Sequence, residues 1–136
     1  MDVAEATAFI REHHRAVLAT TRRDGRPQLS PVSVGIDDDG FAVISTRETA
    51  VKTKHLTRDP YASLCVFTGD FFGRWAQVEG PVEIIHLPEA MEHLVAYYRS
   101  LSGEHPDWDD YRAAMVRDRR VMLRLRIERA GPTISG

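Results

Sequence analysis

The chain has 136 residues, of which 43% are hydrophobic and 28% charged, so it is long enough to form a domain with a hydrophobic core. Its formal net charge of −2 argues against a protein that binds nucleic acid through a strongly basic surface. Cys65 is the only cysteine, which excludes an intramolecular disulfide, and its apolar neighbours predict a buried thiol. Because we see neither a signal-peptide pattern nor a membrane-spanning apolar run, we expect a cytoplasmic protein.

The first half of the chain predicts a short helix followed by three strands. Apolar spacing before residue 13 is typical of an amphipathic helix. The strands are expected in "RAVLATTR", "PQLSPVSVGI" and "FAVIST", with turns at Asp24-Gly25 and at "DDDG". Pro27 and Pro31 cannot donate to a ladder, so the second strand is expected to lie at a sheet edge or to be bulged around Pro31. "AVKTKHLTRDP" then predicts a helix with Thr49 as its N-cap.

The second half predicts three more strands and two helices. "YASLCVF" and "WAQVEGPVEIIH" are typical of strands, with a bend expected at Gly80-Pro81. "LPEAMEHLVAYYRSL" predicts a helix, and a shorter helix is expected before the last strand. Alternation in "RRVMLRLRIER" predicts that this strand buries one face, formed by Val121, Leu123, Leu125 and Ile127. The expected fold is mainly β (α+β), a six-stranded antiparallel barrel with small flanking helices, formed by residues 1–136 as a single domain.

Several signatures of enzyme and cofactor sites are absent from the sequence. It contains no G-x-G-x-x-G after a strand, no G-x-x-x-x-G-K-[ST] and no G-x-S-x-G. Its six histidines show no metal-ligand spacing, so we predict no metal site. Glu104, His105 and Asp107 belong to a polar loop that we expect to be solvated, so no catalytic side chain is predicted.

Positive charge gathers in the predicted helix of residues 50–58, and two interpretations are open. The charges form either a solvated helix face or an anion site. A helix N-terminus presents free N–H groups and a partial positive charge, so a lysine in the first turn is unfavourable unless an anion is present. If the segment is an anion site, we expect Lys52 to face a phosphate, whereas Lys54 and Arg58 should point elsewhere.

Three ordered stretches, "VLATTRRDGRPQLSPVSV", "FAVISTRETAVKTKHLTRDPYASLCVF" and "WAQVEGPVEII", resemble the split β-barrel flavin and deazaflavin oxidoreductases. That superfamily includes pyridoxamine 5′-phosphate oxidase. "LATTRRDGRPQLSPV" followed by "KTKHLTRDPYAS" is most similar to the branch that uses coenzyme F420. The resemblance implies an FMN-binding-like split barrel that forms a homodimer, with two cofactor sites at the subunit interface.

The resemblance also implies which residues hold the cofactor. Residues of the second strand would line its ring system, and residues at the end of the third strand would lie beside its side chain. The start of the following helix would hold its phosphate, with one histidine a helical turn onward, and the fifth strand would supply a further lining stretch. In chain order these residues are Gln28, Ser30, Pro31, Val32, Ser45, Thr46, Ala50, Val51, Lys52, Thr53, His55, Trp75, Ala76 and Gln77.

The expected function is hydride transfer from reduced F420 to a small conjugated or heterocyclic substrate. A cofactor that carries the chemistry explains why no protein nucleophile stands out. Three alternatives stay open: FMN in place of F420, a non-catalytic carrier of F420 or a flavin, and an OB-fold-like nucleic-acid binder. The last is the weakest, because a basic stripe with stacking aromatic residues is not evident. We expect no nucleic-acid or membrane partner, and substrate contacts in loops such as "TGDFFGR", where Phe71 and Phe72 either roof a pocket or simply pack.

Overall fold

The computed structural model describes residues 1–132, in which one curled antiparallel sheet is flanked by four helices. The strands are β1 (Arg15–Thr21), β2 (Pro27–Ser33), β3 (Gly35–Ile36), β4 (Ala42–Arg47), β5 (Tyr61–Phe67), β6 (Trp75–Ile85), β7 (Arg120–Leu125) and β8 (Arg129–Gly131). The helices are α1 (Val3–Glu12), α2 (Val51–Arg58), α3 (Ala90–Ser102) and α4 (Trp108–Arg117). Within these residues, none of the helices has the length and apolar character needed to cross a bilayer.

The sheet follows the order β2-β1-β5-β6-β7-β4-β3, with β8 added to β6. The first half of β6 pairs with β5 and β8, and its second half pairs with β7. The curl brings β2 into contact with β4, but no ladder joins these two strands in the part of the chain that is described. The barrel is therefore split along a seam between β2 and β4, which confirms the predicted fold and the predicted edge position of β2.

The crossing of β6 at Gly80-Pro81 depends on a residue without a side chain. A Cβ atom at Gly80 would overlap the carbonyl oxygen of Arg126, where the chain crosses β6 after leaving β7. Backbone hydrogen bonds hold this crossing on both sides, since Arg126 donates to Pro81 and Glu128 donates to Glu79, each at 3.0 Å. β6 pairs with β5 as far as Pro81 and with β7 from Val82 onward, and the predicted bend itself stays a prediction.

Two apolar layers stabilise the fold. The larger layer fills the inside of the curl, where α1 and α2 pack against the strands. The smaller layer lies between the other face of β4 and β7 and the helices α3 and α4. Burying one large aliphatic side chain contributes about 1.5–3 kcal/mol. The largest fully buried side chains include Ile10, Leu18, Leu56, Leu64, Leu94, Met122, Leu123 and Leu125.

Eight strands form where six were predicted, because the second and last predicted strands are each interrupted. Val34 donates its N–H to the carbonyl of His14 and so separates β2 from β3. The last predicted strand stops at Leu125, where the chain crosses β6. The prediction that this strand has one buried face is wrong, because Met122 is fully buried on the opposite face, beneath α3 and α4.

The start of α2 also differs from the prediction. Ala50, not Thr49, is the N-cap residue, and it makes no side-chain capping bond. A backbone turn brings the N–H of Ala50 to the carbonyl of Arg47 at 3.1 Å. The hydroxyl of Thr53 donates to the same carbonyl at 2.7 Å. The turn is thus stabilised by groups other than the Thr49 side chain, which stays exposed.

Candidate cofactor-binding site

The predicted ring-lining residues of β2 lie on both faces of the sheet. Residues that are paired in an antiparallel ladder share a face. Gln28, Ser30 and Val32 pair with the buried residues of β1, so they point to the inside of the curl, where they are half-buried. Pro31 pairs with Val17 on the outer face and is exposed. One copy of the chain therefore presents this predicted set to two different surfaces.

A hydrogen bond connects α2 to the inside of the seam. Nδ1 of His55 lies 3.0 Å from the hydroxyl oxygen of Thr20. Thr20 is 2% exposed, and Gln28 is its partner in the β1–β2 ladder. The bond holds the half-buried ring of His55 close to the predicted ring-lining strand. The sequence placed His55 one turn into the helix and carried no signal of this partner.

The predicted phosphate-binding residues of α2 differ in what they can offer. Ala50 and Lys52 are half-buried and Val51 is exposed, so all three are accessible from the helix start. Thr53 is 2% exposed, and its N–H donates to the carbonyl of Ala50 at 3.1 Å. Because its hydroxyl also donates within the chain, Thr53 supports the turn and presents no free donor to a ligand.

Lys52 lies beside Arg120, and both carry positive charge. Burial, and then the charge of Arg120, lower the pKa of Lys52. Arg120 is paired with Arg47 at the first position of β7, and its buried Nε has no hydrogen-bond partner within residues 1–132. Among residues 1–132, neither Lys52 nor Arg120 forms an ion pair. These charges meet at the end of the seam without a carboxylate between them.

Tyr97 of α3 lies at the same end of the seam. Its hydroxyl donates to the carbonyl of Ser33 at the end of β2, at 2.8 Å. Burial raises the pKa of Tyr97, whereas the backbone N–H of Ser45 and the charge of Arg120 act against that rise. Ser45 is the ladder partner of Met122, so the half-buried side chain of Ser45 lies on the face that α3 covers. Thr46 is buried on the other face. Tyr97 is thus hydrogen-bonded to the end of β2 and lies near Ser45 of β4.

Sequence reasoning missed both Arg120 and Tyr97 at this site. Arg120 was assigned to the outward side of an alternating strand, and Tyr97 to the apolar face of a helix. Their approach to Lys52 and Ser45 depends on how α3 and β7 pack, which the local pattern does not encode. The one available signal was an apolar residue, Met122, on the side of β7 that had been taken as polar.

The other cations of α2 line a separate groove of about 660 Å³. It lies between α2 and the turn that joins β1 to β2. The groove is lined by Arg22, Arg23, Asp24, Val51, Lys54, His55, Thr57 and Arg58. Lys52 is not among these residues. The positive charge of "AVKTKHLTRDP" therefore divides between two surfaces, in agreement with the expectation that Lys54 and Arg58 point away from Lys52.

The predicted residues of β6 also divide between the two faces. Ala76 is fully buried in the core, so its side chain is not accessible to a ligand. Trp75 and Gln77 are exposed on the outer face, where their ladder partners are Phe67 and Cys65. Val17 of β1 is the ladder partner of both Cys65 and Pro31, so these residues lie on the same outer face. The outer face thus carries a second subset of the predicted site.

An apolar cleft of about 360 Å³ opens on this outer face. Phe71 and Phe72 are 72% and 92% exposed and pack edge to face, with ring centroids 5.0 Å apart. The thiol of Cys65 is half-buried there, which corrects the prediction of a fully buried side chain. Burial still raises the pKa of Cys65, so the thiol is a poor nucleophile at neutral pH. The lining residues are Cys65, Phe67, Phe71, Phe72, Gly73 and Trp75.

The arrangement offers groups that bind rather than groups that react. The seam supplies amide and hydroxyl side chains from β2 and β4 and an ammonium group from α2. In the part of the chain that is described, no group of three or more histidine, cysteine, aspartate or glutamate side chains could hold a metal ion. The seam therefore offers hydrogen-bonding groups and a positive charge that suit an anionic ligand.

Comparison with known sequences places the chain in a family. The profile described as pyridoxamine 5′-phosphate oxidase matches residues 3–133. Over 122 residues the chain is 32% identical to pyridoxine-5′-phosphate oxidase of Bos taurus, covering 89% of this chain and 42% of that protein. It is 30% identical over 122 residues to pyridoxine/pyridoxamine 5′-phosphate oxidase of Frankia alni, with coverages of 89% and 49%. The chain thus spans less than half the length of these curated relatives.

Solved structures share the fold. A conserved hypothetical protein from Mycobacterium tuberculosis superposes with a TM-score of 0.78 and 26% identity, covering 100% of this chain and 92% of that one. A protein described as an F420 reductase superposes with a TM-score of 0.70 and 21% identity, with coverages of 91% and 94%. Because the family profile spans nearly the whole sequence and the split barrel is shared, the chain belongs to the pyridoxamine 5′-phosphate oxidase family.

Proposed function

We propose that this protein binds coenzyme F420 and reduces a small conjugated or heterocyclic substrate. The observation that carries the proposal is the polar seam between β2 and β4, with half-buried Lys52 at its end. Among residues 1–132, no carboxylate forms an ion pair with Lys52. The fold shared with a protein named F420 reductase supports the choice of a deazaflavin. Hydride transfer is the chemistry that such a cofactor supplies when bound.

The residues of the seam fit a phosphorylated heteroaromatic cofactor. Gln28 and Ser30 would present hydrogen-bonding groups to its ring system from β2. Ser45 would lie beside its side chain, and Lys52 would neutralise its phosphate. The protein's part is to bind, to orient and to exclude water, since the seam shows no nucleophile paired with a base.

We also propose a homodimer in which each cofactor site is shared between two copies. The predicted site residues divide between two faces of the sheet. Those inside the curl are Gln28, Ser30 and Val32. Those on the outer face are Pro31, Trp75 and Gln77. A single copy does not bring both sets to one ligand. Packing the outer face of one copy against the seam of another would do so.

The apolar character of the outer face supports the same assembly. Leu29 is 60% exposed, and the cleft with Phe71 and Phe72 lies on the same side of the sheet. Large exposed apolar patches mark interaction surfaces. By contrast, Tyr98 of α3 packs against Tyr111 and Trp108 within the chain, so that helix gives no independent support for a partner.

The second candidate keeps the fold and the site but binds FMN. It is favoured by the family profile and by the curated relatives with 30–32% identity, which are named as pyridoxine or pyridoxamine phosphate oxidases. A carrier that binds F420 or a flavin without turnover is the third candidate.

Two measurements separate the three candidates. A spectroscopic titration should show F420 binding at least tenfold more tightly than FMN, which corresponds to about 1.4 kcal/mol. Consumption of reduced F420 in the presence of conjugated or heterocyclic acceptors should then proceed faster with the protein than without it. Tighter FMN binding would favour the second candidate, and F420 binding without any acceleration would favour the carrier.

A further inference from the structure

The junction between α4 and β7 fixes the position of Arg120. Arg119, the preceding residue, adopts φ of 55°, a left-handed conformation that is unfavourable for a residue with a Cβ atom. Its carbonyl accepts the N–H of Glu48 at 2.8 Å, and its guanidinium pairs with the Glu48 carboxylate at 3.1 Å. Both contacts hold the turn before α2 against the start of β7. Lys52, in the first turn of α2, is thereby held near Arg120.

The carboxylate in this turn is already occupied by other partners. Glu48 pairs with Arg119, and Nδ1 of His86 lies 3.4 Å from its second oxygen. Alternate residues of a strand share a face, so Arg120 lies on the same face of β7 as Met122, with its ladder partner Arg47 beside it. Arg47, Lys52 and Arg120 therefore lie close together, and in the described part of the chain no group accepts a hydrogen bond from the buried Nε of Arg120. A buried donor without a partner is costly to keep in a ligand-free protein.

We infer that Arg120 binds, together with Lys52, the phosphate ester of the cofactor held in the seam. This inference rests on the proposed function, because that function supplies a ligand with a phosphate ester. Arginine presents several donors in a planar fork that matches phosphate oxygens, whereas lysine contributes a point charge. The buried Nε would gain the acceptor that it lacks. The phosphomonoester of FMN and the phosphodiester of F420 share this chemistry.

The test compares ligands that differ only in the part that bears the phosphate. FMN is titrated beside riboflavin, and F420 beside its chromophore without the phosphate-bearing tail. Arg120→Met and Lys52→Met should each weaken binding of the phosphate-bearing ligand by about ten- to a hundredfold, the usual range for a charge-assisted hydrogen bond. Binding of the phosphate-free ligands should change less than about threefold. Arg117→Met removes an exposed guanidinium three positions earlier and serves as the matched control.

The two variants should also be coupled, since both residues contact one anion. The loss in the double variant should differ by more than about twofold from the product of the single losses. Additive losses, equal losses for ligands with and without phosphate, or a loss in Arg117→Met as large as in Arg120→Met would each overturn the inference. Thermal unfolding of the ligand-free variants checks folding, and Arg120→Met should not be less stable, because its Nε has no partner to lose.

A third arm separates this inference from the proposed function. Inorganic phosphate should raise the unfolding midpoint of the wild type above that in chloride of equal ionic strength, and Arg120→Met should abolish the rise. If F420 and FMN both fail to bind but the phosphate effect is present and depends on Arg120, the proposed function is wrong and the anion site stands. If phosphate has no effect on the wild type, the anion site is overturned.

Discussion

Among single residues, Lys52 is the one whose role sequence reasoning came nearest to predicting. A lysine in the first turn of a helix conflicts with the helix dipole, and that conflict pointed to an anion. The same reasoning misjudged Thr49 and Thr53, because it could not foresee that the carbonyl of Arg47 would accept from both Ala50 and Thr53. The sequence could not predict the position of Arg120, because Arg120 lies near Lys52 only when two segments far apart in the chain pack together.

Replacing Lys52 by methionine should not destabilise the ligand-free protein. Burial and the charge of Arg120 both lower the pKa of Lys52 in the folded chain, so its charge opposes folding. Because Lys52 is only half-buried and solvent screens its charge, we expect the variant to equal the wild type or exceed it by less than about 1 kcal/mol in free energy of unfolding. Urea unfolding at neutral pH measures the difference, with Lys54→Met as an exposed control. A clear loss of stability would show that Lys52 has an anionic partner within the chain.

The sign of the pH dependence follows from the same shift. The folded pKa of Lys52 lies below the value of 10.5 that an unperturbed lysine has. Between these two values the unfolded chain binds more protons, so the stability of the wild type should rise relative to Lys52→Met as the pH increases. A difference between the two proteins that stays constant across this range would contradict the shift.

At the level of secondary-structure elements, alternation and turn residues predicted most of the strands, and β1 and β5 show the alternating burial of a strand with one buried face. β4 and β7 differ, because Val43 and Met122 are buried on a second face of these strands. That second buried face exists because α3 and α4 cover it, and a local pattern does not reveal such a cover. Met122 was the local clue, being an apolar residue on the side assigned to solvent.

The crossing of β6 at Gly80 gives a sharp test of element packing. Gly80→Ala would place a Cβ atom against the carbonyl of Arg126, which is backbone and cannot rotate away. We expect a loss of at least about 2 kcal/mol in the free energy of unfolding, measured by chemical denaturation. Gly69→Ala is the control, since no atom lies within 4 Å of a Cβ built at that residue. Equal stability of the two variants would mean that the crossing of β6 is looser than described.

The packing of α4 on α3 depends on Tyr111. Its hydroxyl donates to the carbonyl of Leu94 at 2.8 Å. Burial, and then the neighbouring Tyr97, raise the pKa of Tyr111 to about 12. Tyr111→Phe should therefore lose about 0.5–1.5 kcal/mol of stability at neutral pH, the usual net value of such a hydrogen bond.

Alkaline unfolding provides the second readout for Tyr111. The unfolded side chain loses its proton near pH 10, whereas the folded one keeps it to about pH 12. The stabilising contribution is thus complete below pH 10 and is lost as the pH rises towards 12. The stability gap between wild type and Tyr111→Phe should narrow over this interval. A gap that stays constant over this interval would show that the fold tolerates ionised Tyr111.

On the scale of the whole molecule, strand number and antiparallel connections were enough to predict a barrel, but not where it opens. The seam lies between β2 and β4, which the curl of the sheet brings into contact. It also separates the predicted cofactor-binding residues onto two faces, which a linear sequence cannot show. That separation is why the assembly of two copies becomes the deciding question for the site.

The proposed dimer can be tested through one exposed leucine. Leu29 lies on the outer face, where an interface would bury it, and Leu29→Glu would then place a charge in an apolar contact, which is costly without a partner. Sedimentation at micromolar concentration should show a dimer for the wild type and a shift towards monomer for Leu29→Glu. Val116→Glu is the matched control, because Val116 on α4 is 59% exposed and Leu29 is 60% exposed. Both variants should keep the unfolding free energy of the monomer within about 0.5 kcal/mol, as surface substitutions usually do.

If the wild type sediments as a monomer with cofactor bound, the shared site is wrong. If Leu29→Glu remains a dimer, the two copies meet through another surface, and the predicted residues of the outer face do not belong to the site.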